Sequence, residues 1–314
     1  MKIKKLNLII YFYLLFIIFD FSLPSNGYEN KILFKVNNEI ITSYDLEYET
    51  NYLQTLNPGI KNLKKEEIYK ISRKSIIQEK IKLLEISKYF KKTNIPEEFL
   101  NNLSKNIYLK IGISNLEEFK KYLNKNSIEY SDVLKKIEIE ALWNELIYSK
   151  FSEKVKIDES RLREIVIKNL NEQNKSYLMS EILFEVDKAE NINLKYEEIR
   201  KMILENGFEN AALKYSTSST SNIGGKLDWI NSNSLNKKIK EAVSNKKKNE
   251  ITKPIIVPGG FIILKINEIK VIKGTKNVEE ELNKLINSTK NNQLNQFSII
   301  HFNKVKQDIE IDEI

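Results

Sequence analysis

The residue types that most often carry out chemistry are sparse in this chain. Cysteine is absent, which removes disulfides, zinc–thiolate sites and thiol nucleophiles together. A single histidine, His301, excludes a histidine-rich metal site. The sequence offers it no evident catalytic partner, so a plain position on the face of the terminal helix is expected. The densest run of hydroxyls is Ser216–Ser221, followed by Gly224-Gly225. Taken alone it reads as a polar loop. Glu181 sits in an apolar stretch and reads as an exposed charge at a strand edge. Ile262 reads as simple core and Trp229 as internal packing. No metal ligand set and no cofactor motif is present.

The charge balance excludes other functions. The net charge is +8, of which Lys2, Lys4, Lys5 and Asp20 supply +2. The rest is interspersed, with no basic block longer than Lys246-Lys247-Lys248. A nucleic-acid binder would cluster its cations on one face, so nucleic acid is not an expected partner. Residues 1–27 have the layout of an export signal: a basic start, an apolar run from Leu6 to Phe19, then Ser25 and Gly27 at cleavage-site spacing. That run is shorter than the ~20 residues a bilayer span needs. An uncleaved membrane anchor is the alternative, because Phe21 and Leu23 extend the run. Either reading places the remainder outside the cytoplasm, and the first places it in the periplasm.

Periodicity then divides the chain. Residues 31–36 and 39–41 read as short strands joined at Asn37-Asn38, since Asn tolerates positive φ. Thr42 fits a helix N-cap with Asp45 three residues on. Apolar spacing predicts helices from Lys64 to Lys92, after Pro96 at a first helical position, after Ser114, after Ser131 and after Asp158. On the helix after Ser131, Leu134, Ile137, Ala141 and Tyr148 form one stripe, and Ile139, Leu142 and Leu146 a second. Two stripes imply a wide buried face or an open apolar groove. Asn171–Ser176 reads as a polar linker. Residues 177–186 read as a strand, 194–205 and 208–214 as helices, 226–230 as a strand and 235–243 as a helix. Residues 254–269 form a hairpin-like ending, so the stretch is a small α+β domain. Thr275–Gln307 returns to helix, with Val278, Leu282, Leu285, Thr289, Leu294, Phe297 and Ile300 on its apolar side. A lone terminal helix cannot bury such a face, so it is expected to dock on the earlier helices.

Three groups of residues carry a family resemblance. Val36-Asn37-Asn38-Glu39-Ile40-Ile41-Thr42-Ser43-Tyr44-Asp45-Leu46 resembles the opening of SurA-type chaperones. Ser180–Phe184, Gly207-Phe208, Tyr215-Ser216, Gly224–Trp229, Ile251–Pro254 and Gly260–Ile266 resemble successive blocks of a parvulin-type prolyl isomerase domain, in order. Gln293 through Glu310 is similar to the closing helix and tail of SurA-type proteins. The resemblance implies an α+β protein: a mostly helical SurA-type N-terminal lobe completed by a C-terminal helix, with an inserted parvulin-like domain. The corresponding bounds are 1–27 for the signal peptide, 28–171 for the helical lobe, 172–273 for the parvulin-like domain and 274–314 for the closing helix. Many relatives carry two parvulin domains; this chain has one.

Rotation about a peptide bond faces a barrier of ~18–20 kcal/mol, so an isomerase must favour the twisted amide. Active parvulins resemble one another in two histidines, a Cys or Asp facing the amide, and an apolar proline pocket. On that resemblance Glu181 and Ile262 stand where the histidines are expected, and Ser218 at the Cys/Asp position. Asp228 replaces the glycine usual before Trp229. Leu235 and Ile239 keep the pocket apolar, together with Phe261 and Ile262. The resemblance therefore implies weak or lost isomerase activity. It also implies a periplasmic chaperone whose clients are unfolded polypeptides, outer-membrane β-barrel precursors above all. The groove is expected from the 64–151 helices and the 277–302 helix. An active foldase and a membrane-anchored scaffold are the alternatives.

Overall fold

The first described residues form a hairpin. β1 (Ile32–Val36) and β2 (Glu39–Thr42) pair antiparallel. Asn37 turns between them at φ 51°, a left-handed conformation that asparagine accepts. The computed structural model describes residues 30–91, 95–169, 173–186, 191–273 and 277–314. The candidate export signal at 1–27 lies outside the described residues.

Thr42 ends β2 and starts α1 (Ser43–Leu56) through a reciprocal cap. Its Oγ1 accepts from the Asp45 amide at 3.3 Å, and Asp45 Oδ2 accepts from the Thr42 amide at 2.9 Å. The helical lobe continues with α2 (Lys65–Ser87), α3 (Glu97–Lys110), α4 (Leu116–Lys125), α5 (Tyr130–Phe151) and α6 (Glu159–Asn169). Several ends differ from expectation. Asn115 rather than Ser114 caps α4, and α5 starts at Tyr130, ahead of the expected Ser131 cap. Pro96 stands at the cap of α3 rather than inside it. α2 stops at Ser87, leaving Tyr89 exposed. Asp158 does cap α6, accepting from the Arg161 amide at 3.0 Å.

The inserted sheet has the order β4-β3-β6-β5, all antiparallel. β3 (Gln173–Phe184) and β6 (Gly260–Lys273) pair from Gln173↔Lys273 to Phe184↔Phe261. The ladder therefore starts inside the polar stretch expected to be a linker. Cross-strand hydrogen bonds do not depend on side-chain polarity, so composition misplaces the boundary. α7 (Ile192–Asn206) and α8 (Phe208–Tyr215) bury Ile199, Met202, Phe208 and Ala212 against Ile182, Phe184 and Ile263. On the other face, α9 (Lys237–Ser244) packs Ile239 and Val243 towards Met179, Leu183, Ile262 and Leu264. β4 spans Lys226–Asn231 and β5 Ile255–Val257.

The chain then returns to the lobe. α10 (Val278–Gln307) packs on α2, α5 and α6. Leu282 and Leu285 meet Val166, Phe151 stacks on Phe297 at 5.1 Å, and Phe302 and Val305 join Trp143, Leu146 and Ile81. The apolar stripe drifts along this helix: Ile300 is exposed, and His301, Phe302 and Val305 take the buried side. A final strand, β7 (Ile311–Glu313), pairs with β1 opposite β2, so the two ends of the described chain share one sheet. The molecule is α+β: a helical lobe completed by its C-terminal helix, with a sheet domain inserted ahead of that helix.

The two parts share a core. One apolar cluster runs from Leu53, Ile60, Ile71 and Phe119 in the lobe to Phe184, Phe208 and Leu213 in the insert. Polar contacts reinforce it. Lys214 meets Glu67 at 2.6 Å, Asn210 donates to the Gly59 carbonyl at 3.3 Å, and Asn57 donates to the Asn222 carbonyl at 3.2 Å.

Candidate functional site

The hydroxyl run lies beside β3 and is stitched to it. Ser216 Oγ accepts from the Leu183 and Ser218 amides, and the Thr217 amide donates to the Leu183 carbonyl at 2.7 Å. The chain turns through Ser219–Ile223 and comes back as β4, with Gly224 at φ +70°. The Gly225 carbonyl accepts from the Glu181 amide at 2.8 Å. Gly225 must be glycine: at φ +74° a Cβ there would stand 2.1 Å from the Glu181 carbonyl oxygen.

This loop delivers two hydroxyls to one carboxylate. Ser218 Oγ donates to Glu181 Oε1 at 2.6 Å, and Thr220 Oγ1 donates to the same oxygen at 2.9 Å. Glu181 is thus largely buried on an inner strand, not exposed on an edge. Burial raises its pKa, against the two hydroxyl bonds that favour the charged form. Met179 and Leu183 flank it two residues away on β3, and Leu264 faces it across the ladder.

Leu235, Ile239 and Ile262 stand on this same face. The Asn236 side chain accepts from the Ile239 amide at 2.9 Å, which starts α9 and sets where Ile239 points. Phe261 does not join them. It alternates to the opposite face and lies against Phe184, with ring centroids 5.8 Å apart. Trp229, expected inside the domain, is 37% exposed, with Lys270 Nζ 4.0 Å from its ring centroid. β4 is an edge strand, so one of its faces meets solvent.

Glu181, Ser218, Leu235, Ile239 and Ile262 all line one cavity of about 1220 Å³ between the insert and the lobe. The expected groove is present, with the sheet domain as its second wall. Ile107 (α3), Ile139 and Ala141 (α5) and Ile299 (α10) contribute apolar surface from the lobe. Its helical side also carries charge. Lys136 pairs with Glu49 at 2.7 Å and contacts Glu79, and Lys82 reaches both oxygens of Glu140 at 2.6 and 2.7 Å. Burial works against the Lys136 charge, but Glu49 and Glu79 outweigh it and hold the ammonium well above its usual pKa. Lys136 also lies 4.8 Å over the Tyr52 ring.

Three features escaped sequence reasoning. Lys74 of α2 donates to the carbonyls of Leu213, Lys214 and Ser216, capping the C-terminus of α8 across the boundary between lobe and insert. Burial pushes its pKa down to about 7, while the capped carbonyls favour the ammonium. Trp143 anchors α10, donating from Nε1 to Ser298 Oγ at 2.8 Å and stacking on His301. His301 is buried and has a partner after all: its Nε2 lies 3.0 Å from Glu85 Oε1. Burial lowers its pKa. Glu49, spaced i+3 from Leu46 and i−4 from Leu53, was the legible signal: a charge in an apolar stripe.

Chemically, the site is a hollow with apolar walls and a carboxylate held by two hydroxyls. It contains no imidazole. Among the described residues no three His, Cys, Asp or Glu side chains gather to hold a metal ion.

The Rotamase family model, for a PPIC-type PPIASE domain, matches residues 181–268. That match starts at Glu181, within β3, and covers most of the sheet domain. Among curated proteins, the chain is similar to Chaperone SurA of Pseudomonas aeruginosa, 24% identical over 60% of this chain and 46% of that protein. It is also similar to Chaperone SurA of Pseudomonas putida, 26% identical over 59% and 44%. The chain thus spans about half the length of the curated relatives it matches. A solved structure from work on PEB4 and Cj1289, described as SurA-like chaperones of Campylobacter jejuni, covers 91% of this chain and 99% of its own at 16% identity, with a TM-score of 0.36. The chain is similar in sequence to SurA chaperones, and its residues 181–268, set into a helical lobe, match a PPIC-type rotamase domain.

Proposed function

We propose that this protein is a periplasmic chaperone that shields unfolded exported polypeptides in the cleft between its two parts, with outer-membrane β-barrel precursors as clients. The observation that carries this is the cavity itself: about 1220 Å³, with apolar side chains from α3, α5, α10 and the sheet domain facing one another. An extended segment with alternating apolar residues, as in barrel strands, fits such walls. Both curated relatives are named Chaperone SurA, which supports the reading. Among the described residues no helix is long and apolar enough to cross a membrane.

Prolyl isomerisation is weak or lost. The family histidine positions are Glu181 and Ile262, and the hydroxyl of Ser218 is committed to Glu181. Leu235, Ile239 and Ile262 leave a proline-sized apolar hollow, so binding survives where proton-bearing groups do not. The test is aggregation of a urea-diluted β-barrel precursor followed by light scattering. The intact chain suppresses it at near-equimolar ratio, and Ile107→Arg, which puts a charge on the lobe wall, weakens suppression about fivefold or more. Unchanged aggregation at a tenfold excess of the intact chain would refute the chaperone reading.

A further inference from the structure

Among the described residues Glu181 has no cationic partner. The other glutamates lining the cavity do: Glu49 and Glu79 share Lys136, Glu140 holds Lys82, and Glu209 pairs with Lys226 at 3.1 Å. Buried carboxylates are normally paired, because desolvation is costly for an isolated charge. The donors that Glu181 does have are neutral, and both bind the same oxygen, Oε1. Its Oε2 receives no hydrogen bond from the described residues. Yet it is not sealed: it is not among the fully enclosed side-chain atoms that lack a hydrogen bond, such as Thr55 Oγ1, and Glu181 lines the cavity. The free oxygen therefore opens on the cavity, beside the hollow of Leu235, Ile239 and Ile262.

We infer that this pocket is a subsite for a cationic side chain, a lysine or arginine of the client, whose apolar neighbour occupies the adjoining hollow. The inference rests on the cleft being where client polypeptide binds. A lysine stem is apolar and its ammonium is a compact donor, so it can pass between these walls and end on Oε2. Ser218 and Thr220 fix the carboxylate beforehand, which lowers the ordering cost on binding. The site thus adds a charge requirement to an otherwise shape-based groove, and such polar fixed points are what select among apolar segments.

The experiment uses the full chain and three fluorescein-labelled unstructured decapeptides. They are identical except for one central residue: lysine, acetyl-lysine or norleucine. Anisotropy titration at neutral pH is expected to give about tenfold tighter binding of the lysine peptide than of the other two. In Glu181→Gln, the preference for lysine over norleucine should fall to within about twofold. A carbodiimide crosslink on the wild-type chain, mapped by mass spectrometry, should join the peptide lysine to Glu181; this reading does not depend on the variant folding. Equal binding of all three peptides overturns the subsite and leaves the chaperone reading standing. Coupling of the lysine to other carboxylates alone also overturns it. Binding of none of the three overturns the peptide-holding reading, and the subsite with it.

Discussion

Glu181 on the sheet wall and the glutamates of the helical wall are held in different ways. On the helical wall, Lys136 bridges Glu49 and Glu79, and Lys82 pairs with Glu140, all within the protein. On the sheet wall, the hydroxyls of Ser218 and Thr220 are the only side-chain groups among the described residues that hold Glu181. The first arrangement is self-sufficient and contributes to folding. The second leaves part of its hydrogen-bonding capacity to whatever enters. Carboxylates lining one cleft can therefore differ in role without differing in type, and the difference lies in whether the fold supplies the counter-charge.

The largest effect expected from breaking this contrast is on the helical side. Lys136→Met leaves the buried Glu49 and the partly buried Glu79 without their cation and should cost about 3–5 kcal/mol in urea unfolding. Gly225→Ala comes next. It forces a side chain into φ +74° and against the Glu181 carbonyl, and should cost about 2–4 kcal/mol while disordering the hydroxyl loop. Glu181→Gln, by contrast, should change stability at neutral pH by no more than about 1 kcal/mol, or raise it.

The pH dependence sharpens the comparison. The Glu181 pKa is raised on folding, so its folded form keeps a proton that the unfolded chain gives up. Stability from this group is present below the unfolded carboxylate pKa, near 4.3, and is lost as pH rises through the folded value. Glu181→Gln should flatten that slope in melts taken from pH 4 upwards. Lys74 runs the other way. Its folded pKa of about 7 lies below the usual 10.5, so its contribution falls as pH drops from 10.5 through 7. Lys74→Met should remove that dependence and speed amide exchange at the end of α8. The smallest effect is spectroscopic. The chain has one tryptophan in each part: Trp143 is 1% exposed and Trp229 37%. Trp229→Phe should leave blue-shifted emission that acrylamide barely quenches, and Trp143→Phe the reverse.

Local features of this fold were legible in advance. The Thr42–Asp45 cap, the Asn37 turn and the fold-back of the last helix follow from residue chemistry and apolar spacing over a few turns. What sequence hid depends on distant pairing. Glu181 reads as an edge charge until β4 and β6 flank β3, which places it on an inner strand. β7 is three residues long and carries too little periodicity to announce itself. Phe261 and Ile262 read alike as pocket residues, but strand alternation sends them to opposite faces. Lys74 could not be recognised as a cap, because the helix end it serves lies about 140 residues further along the chain.

The most direct test of the account places a photo-reactive amino acid at Ile107, at Ile239 and, as an outward-facing control, at Leu204, which is 76% exposed. Each variant is irradiated with an unfolded β-barrel precursor. Crosslinks from Ile107 and Ile239 with none from Leu204 are the predicted result. Crosslinks at Leu204 as strong as those from the two walls, or none from either wall, would contradict a client held in the cleft.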